Sequence, residues 1–334
     1  MIRVLLLSDT HIGFDLPVRR RLPHRRRGDD LVDAFWHALA PARRGEVDVV
    51  VHAGDLLDRP RVPDAILWRA LDPLFEVAAH HAPVVLVPGN HERGRIALPP
   101  LLAPLDLHVL DRPRTVELDI RGLRLVVGGF PFLRRARSDF DAAVRETGLL
   151  REDADVRLLV VHQAFEGAVV GAHDYVFRHG HEVVRGASIP RGVAAVFAGH
   201  VHRHQVLQRD LLGRPLAAPV VVPGSTERTS FQERYETKGA VRLRLASGPD
   251  GGAVAGLDFA PLPTRPMVVL EVEPGELHAS SLERRFHALP ANAVVQLRVA
   301  GGPPVAAAPV LRAASLRALA GRHRDVSVPY RRRP

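Results

Sequence analysis

The sequence predicts an α/β protein in which a large domain is followed by a smaller α/β unit. Three observations support this. Short valine- and leucine-rich runs, too brief for helices of usual length, alternate with longer stretches of helical spacing. Several of these runs end in aspartate, asparagine or histidine, and the carboxyl ends of strands are where open α/β sheets place their sites. A polar, glycine-rich connector at residues 247–252 separates this alternation from a second, shorter one. A chain of 334 residues with 46% hydrophobic content can bury a core in each part. The expected division is 1–262 and 263–334.

Residues 2–8 read as a buried strand ending in Asp9-Thr10-His11. Residues 14–27 carry arginines at 19–21 and 25–27 around Pro23, an exposed basic loop that is either a solvated charge run or a phosphate-backbone contact. Residues 29–43 place Leu31, Val32, Phe35, Trp36 and Leu39 at amphipathic helical spacing behind capping aspartates. Residues 47–58 form a valine-rich strand that delivers Asp55, although Gly54-Asp55 is also an ordinary turn dipeptide. A helix follows over 63–80 through Ile66, Leu67, Leu71, Leu74 and Val77, then a strand over 83–88 ending in Gly89-Asn90-His91-Glu92.

A hairpin is expected over 116–127 around Arg121-Gly122, and a helix over 139–149. The strand at 156–161 ends in His162-Gln163, and that at 193–198 ends in Gly199-His200-Val201-His202. Residues 216–222 and 240–245 read as further strands, with a turn at 223–228 between them. Beyond the connector, a strand at 267–272, an amphipathic segment at 282–289, a strand at 294–299 and a helix at 311–319 make a βαβα-type unit. Residues 329–334 read as a frayed basic tail.

The chain has no cysteine, which removes disulfides and thiolate ligands together. No apolar run approaches the roughly 18 residues of a membrane span, and the first residues lack the length and cleavage site of a signal peptide. The expected compartment is the cytoplasm, with no membrane partner. A formal net charge of +9 points to a polyanionic partner, although a basic balance also keeps a protein soluble. Lys238 is the single lysine, so the positive charge is nearly all guanidinium. Arginine suits bidentate phosphate contacts, while a lysine-poor chain rich in alanine and proline also reflects biased genomic composition.

Five strand ends thus supply Asp9 and His11, Asp55, Asn90 with His91, His162, and His200 with His202. A single histidine of this kind is more often a hydrogen-bonded core or surface residue. Five successive strand ends carrying such groups point to a metal site. The donors are nitrogen and oxygen only, which favours manganese, iron or zinc, and they are too many for one tetrahedral zinc. Two divalent ions are expected, with Asp55 as their bridge. Paired ions lower the pKa of a bound water and clamp the oxygens of a phosphoryl group.

The motifs D-x-H, G-D-x-x-D, G-N-H-E, H and G-H-x-H, in that order from Asp9 to His202, resemble those of the calcineurin-like metallophosphoesterases. The resemblance implies a four-layer α/β/β/α sandwich. It implies one ion on Asp9, His11, Asp55 and His202, and the other on Asp55, Asn90, His162 and His200. Residues 199–205 and 223–231 are similar to the SbcD-type nucleases of DNA double-strand-break repair, which implies DNA as a partner and a C-terminal capping domain that helps hold it. The chain ends at Pro334, so the segment by which such nucleases dock on an SMC-like ATPase of the SbcC type is expected to be short or absent. A homodimer is also open.

In the expected mechanism His91 protonates the leaving ribose oxygen, and Asp58, a histidine in several relatives of that branch, orients His91. Arg93 and Arg228 are candidate substrate contacts. His173, His179 and His181, with Tyr175 and Phe177, either line a groove or form a solvated loop. His52 is expected to be structural. Two further readings remain: a phosphodiesterase or phosphatase for small or protein substrates, and a non-catalytic DNA-binding scaffold subunit.

Overall fold

A computed structural model describes residues 1–15, 26–92, 105–302, 305–321 and 324–328. In chain order the elements are β1 (Ile2–Leu7), α1 (Arg27–Ala38), α2 (Ala40–Arg43), β2 (Val49–His52), α3 (Asp64–His80), β3 (Val84–Leu86), β4 (Leu107–Val109), β5 (Arg114–Ile120), β6 (Leu123–Phe130), α4 (Ala136–Thr147) and β7 (Val156–His162). Four two-residue strands follow, β8 (Ala164–Phe165), β9 (Val169–Val170), β10 (Tyr175–Val176) and β11 (Val183–Val184). Then come β12 (Ala195–Gly199), β13 (Gln205–Arg209), β14 (Pro215–Val222), β15 (Gly239–Ala246) and β16 (Ala253–Pro261). The C-terminal unit contains β17 (Met267–Val272), α5 (Ala279–His287), β18 (Val294–Val299), α6 (Ala313–Ala320) and β19 (Asp325–Ser327).

Two six-stranded sheets form the large domain, in the orders β16-β15-β1-β2-β3-β4 and β13-β14-β12-β7-β6-β5. Parallel pairs lie at the middle of each, where both faces are covered and continuous valine runs are stable. Side-chain alternation along β1 and β2 sorts the layers. Ile2, Val4, Leu6, Val49 and Val51 face the second sheet, where they meet Leu125, Leu158, Val160 and Phe197. Leu5, Leu7 and Val50 face the opposite way, onto Leu31, Phe35 and Leu71 of α1 and α3. On the far side, Val126, Leu159, Val161 and Val220 pack against Phe140 and Val144 of α4. The layers are therefore α/β/β/α. Each fully buried side chain in these interfaces stabilises the fold by roughly 1.5–3 kcal/mol relative to exposure.

The two sheets converge at one end, where the strands β1, β2, β3, β7 and β12 finish. Ser8, just past β1, bridges to Ser225, just past β14. The Asp9 and His11 amides donate to the carbonyls of Gly54 (2.9 Å) and Asp55 (3.0 Å), which fixes the loops after β1 and β2 side by side.

The C-terminal unit has its own parallel sheet, β17-β18-β19, and its own apolar cluster around Leu270, Leu282, Phe286, Val295, Leu297 and Leu316. It is thus βαβαβ, one strand longer than expected, because the short β19 closes the sheet. The glycine-rich stretch at 247–252 is the turn between the antiparallel β15 and β16, with Ala246 paired to Ala253, and the chain leaves the large domain only after β16. From sequence that stretch resembles a linker because β16, broken by Gly256 and Asp258, has no continuous apolar run. Helix α1 begins at Arg27, so the second arginine cluster is partly structural, while Arg19, Arg20, Arg21 and Arg25 lie outside the described residues.

Candidate metal centre

Each candidate ligand sits where a buried strand ends and the chain turns sharply. Of the seven non-glycine residues with positive φ among the described residues, four are Asp9 (52°), His11 (47°), Asp55 (52°) and His200 (87°). Such conformations are disfavoured for residues with a Cβ, and they cluster where function over-determines the backbone. Glycines beside them allow the close approach. A Cβ on Gly89 would lie 2.1 Å from Asp55 Oδ1, and one on Gly54 would lie 2.3 Å from His162 Nδ1. Local strain and missing Cβ atoms together let five strand ends crowd into one space.

The crowd divides into two halves about Asp55. In the first, His11 Nε2 and His202 Nε2 are 3.1 Å apart, and His202 Nε2 lies 3.9 Å from Asp9 Oδ1. In the second, Asn90 Oδ1 is 3.1 Å from His162 Nε2 and 2.9 Å from His200 Nδ1. Asp55 Oδ2 is 3.9 Å from His11 Nε2 and 3.3 Å from His162 Nε2, so one carboxylate oxygen faces both halves. All seven sequence-predicted ligands are brought together.

This donor set fits divalent ions. Every ion pair that Asp9 and Asp55 make among the described residues is with a histidine, so no lysine or arginine neutralises them. Burial opposes a charged His162 ring, but the charges of Asp55 and Asp9 overcome it and lift its pKa to about 9. Burial, reinforced by the neighbouring His202, lowers His11 to about 3, and burial with the nearby His162 lowers His200 to about 3. Those two rings present neutral lone pairs. Burial opposes ionisation of Asp55 too, but His162 outweighs it and holds the carboxyl well below its usual range. Burial pushes the Asp9 carboxyl up, and a donor set of carboxyl oxygens, imidazoles and an amide oxygen suits hard or borderline cations.

His91 stands beside the first half. Its amide donates to Asp55 Oδ1 (3.0 Å), its Nε2 is 3.9 Å from Asp55 Oδ2, and its Nδ1 is 2.7 Å from the main-chain oxygen of Asp58. The expected contact with Asp58 thus exists, but through the backbone. The Asp58 carboxylate lies 3.8 Å from His11 Nδ1, a buried atom with no hydrogen-bond partner among the described residues. Arg228 is turned inward, donating to the carbonyls of Glu236 (3.0 Å) and Arg265 (3.1 Å), and Arg93 lies outside the described residues. His52 is fully buried with Nε2 3.2 Å from Thr10 Oγ1, a structural role as expected.

Three features are not evident from sequence. Glu92 accepts from the amides of Leu57 (2.6 Å) and Gly89 (2.7 Å), tying two ligand loops together, and burial with the charge of Asp55 lifts its pKa to about 7. Lys238, the single lysine, is 1% exposed and donates to the His202 carbonyl (2.8 Å) and Glu236 (2.8 Å) and pairs with Glu233 (2.7 Å). Glu233 in turn faces His202 Nδ1 at 3.3 Å, the arrangement by which a carboxylate fixes the tautomer of a ligating histidine. One lysine kept in an arginine-rich composition was the available signal. The third is a cleft of about 600 Å³ opening beside Asn90 and His200, rimmed by Phe132, Arg134, Arg135, His181 and Glu182.

Similarity to known proteins agrees with this geometry. The chain is 26% identical over 298 residues to the DNA double-strand break repair protein Mre11 of Methanopyrus kandleri, covering 85% of this chain and 62% of that one. It is 26% identical over 280 residues to the SbcD subunit of the SbcCD nuclease of Bacillus subtilis, covering 74% and 67%. A shorter stretch of 97 residues is 40% identical to the Mre11 protein of Haloferax volcanii, covering 28% and 20%. The chain therefore spans about 62–67% of the length of these two long matches. The family model for calcineurin-like phosphoesterases matches residues 2–204, well over half of the chain and all seven ligand positions, and the chain belongs to that family.

Proposed function

We propose that this protein is a manganese-dependent DNA-repair nuclease that hydrolyses phosphodiester bonds at a dinuclear centre. The observation that carries the reading is Asp55 Oδ2, placed within 4 Å of His11, His162 and His91 at once. The names of the long matches, a double-strand-break repair protein and a component of a nuclease, support DNA as substrate. Asp9, His11, Asp55 and His202 would hold one ion, and Asp55, Asn90, His162 and His200 the other. When bound, two divalent ions activate water and offset the charge of a phosphoryl group.

The protein's own part falls to His91. A carbonyl can only accept, so the 2.7 Å contact with Asp58 puts a proton on Nδ1 and fixes the ring tautomer. Nε2 is then the atom that carries a second proton towards the substrate, and general acid help to an alkoxide leaving group is worth roughly 10²–10⁴-fold. Asp9 and Asp55 orient the reacting phosphate indirectly, by fixing where cations sit. Arg93 remains a proposed phosphate contact, whereas Arg228 positions the turn after β14.

Cytoplasmic location, a homodimer and an SMC-like ATPase partner of the SbcC type belong to the same proposal. The last is supported by the Bacillus relative, which by its name is one component of a larger nuclease. No described helix is long and apolar enough to cross a membrane. The deciding measurement is cleavage of single- and double-stranded DNA by the purified chain with manganese. Cleavage is expected, with a loss of roughly 10²–10⁴-fold in His91→Asn. Hydrolysis of small phosphoesters with no action on either DNA would overturn the nuclease reading in favour of a small-substrate phosphodiesterase.

A further inference from the structure

We infer that the cleft beside Asn90 and His200 is a subsite for one unpaired nucleotide of the substrate strand, with its phosphate on Arg134 and Arg135 and its base against Phe132. The inference rests on the nuclease reading and deepens it, by naming what the site holds next to the scissile bond.

The ring contacts at the centre fall into two groups. His11 touches His91 (ring centroids 4.7 Å apart) and His202 (4.9 Å), while Phe132 touches His200 (5.4 Å) and His162 (6.3 Å). The acid His91 therefore groups with His11, and the cleft with His200. A strand whose leaving oxygen is served by His91 extends its other flank over Asn90 and His200, and the cleft is the concavity there.

Its size and chemistry match one nucleotide. A volume of about 600 Å³ lies in the range of single small-ligand sites, roughly 300–1,000 Å³, and leaves no room for a turn of duplex. Phe132 is half-buried, its ring tilted 40° to His200, which leaves an aromatic face at the rim for stacking. Arg134 is exposed, and its guanidinium makes no hydrogen bond or ion pair among the described residues. The Arg135 side chain is 76% exposed and reaches only Asp139, at 3.6 Å. One acidic group, Glu182, stands against the two guanidiniums, so the rim is cationic on balance. Exposed guanidiniums two and three residues from an aromatic ring are the pairing by which single strands are held, charge on the backbone and stacking on the base. A site built this way acts on ends or gaps where a nucleotide can leave the stack.

The test uses the full chain with manganese and three substrates: a short single-stranded oligonucleotide, the same strand with abasic sites, and bis(nitrophenyl) phosphate. Arg134→Ala/Arg135→Ala is expected to raise KM for the intact strand by at least about tenfold more than for the small diester. It is also expected to lower the salt dependence of strand binding by a log–log slope of about 1–2. Phe132→Leu should weaken the intact strand by roughly 5–100-fold and the abasic strand far less. Equal losses on the strand and the small diester, or wild-type behaviour in both variants, would overturn the cleft assignment while strand cleavage by the parent protein left the nuclease reading standing. If the parent protein hydrolyses only the diester, that reading falls and the inference falls with it.

Discussion

Two buried clusters of charge in this molecule are built on opposite principles. At the junction of the large domain and the C-terminal unit, Asp30 lies between Arg27 Nη1 (2.8 Å) and Arg265 Nη1 (3.0 Å), Glu227 faces Arg27 (3.5 Å), and Asp325 faces Arg265 (3.6 Å). Each carboxylate there has a guanidinium. At the strand ends, every ion pair of Asp9 and Asp55 among the described residues is with an imidazole. Burial costs a charged group heavily unless it is paired. The junction meets that cost inside the chain and is architecture, whereas the strand-end cluster leaves it to be met by cations from solution.

The largest effect that separates the two clusters is expected at Asp55. Asp55→Ala should lower metal-dependent phosphodiester hydrolysis by ~10³-fold or more, at least the scale of losing one main electrostatic element of a site. It should also abolish the rise in Tm that manganese gives the parent protein, about 2.7 kcal/mol of stabilisation at a hundred times Kd. The circular dichroism spectrum should be retained. A variant that still gains Tm with manganese would show that the ions sit elsewhere.

Arg265→Ala tests the other cluster. Leaving a buried charge uncompensated costs about 3–5 kcal/mol, and Arg265→Ala should cost less than that, because Asp30 keeps Arg27 and Asp325 is partly exposed. The loss should be read as earlier thermal unfolding and faster proteolysis after β16, with the response to manganese intact. Loss of the manganese response in this variant would join the two clusters into one functional unit and break the comparison.

What the sequence made legible follows the same division. The ligands announced themselves because β1, β2, β3, β7 and β12 are short apolar runs, and a polar residue at the end of such a run has no local reason to be there. Fold class followed from the alternation of those runs with stretches of helical spacing, whereas the layer order came from the resemblance carried by the motifs. The partners of Lys238, the inward turn of Arg228 and the rim formed by Phe132, Arg134 and Arg135 were illegible, since each depends on which distant loops meet. Arg265 and Asp30 are 235 residues apart, and nothing local to either marks the other. Strand β16 was hidden for a different reason: it lies at a sheet edge with none of its residues fully buried, without the apolar signal of a central strand.

Between the clusters stands Glu233, which joins the buried cation Lys238 to the ligand candidate His202. Glu233→Gln keeps the shape and removes the charge, so it should weaken ion binding by roughly 10–100-fold with little change in fold. Calorimetric titration with manganese checks this, and the weaker of two binding steps should be the one affected. Unchanged affinity would assign Glu233 to the architectural class alongside Asp30.

The smallest effect is expected at Asp58, where side chain and backbone are separable. The contact that fixes His91 comes from the Asp58 main-chain oxygen at 2.7 Å, and Asp58→Asn leaves that oxygen in place. The carboxylate instead sits 3.8 Å from His11 Nδ1 and 3.4 Å from Arg59 Nε. Asp58→Asn should therefore change turnover by less than about tenfold, in equal proportion for DNA and for bis(nitrophenyl) phosphate, since a nitrophenolate needs no acid and an alkoxide does. A loss confined to DNA, parallel to that of His91→Asn, would show that the carboxylate acts through His91 after all. Equal small losses would place it with His11, as a partner that steadies a ligand from behind, and would leave the backbone of the loop after β2 as the element that aims the acid.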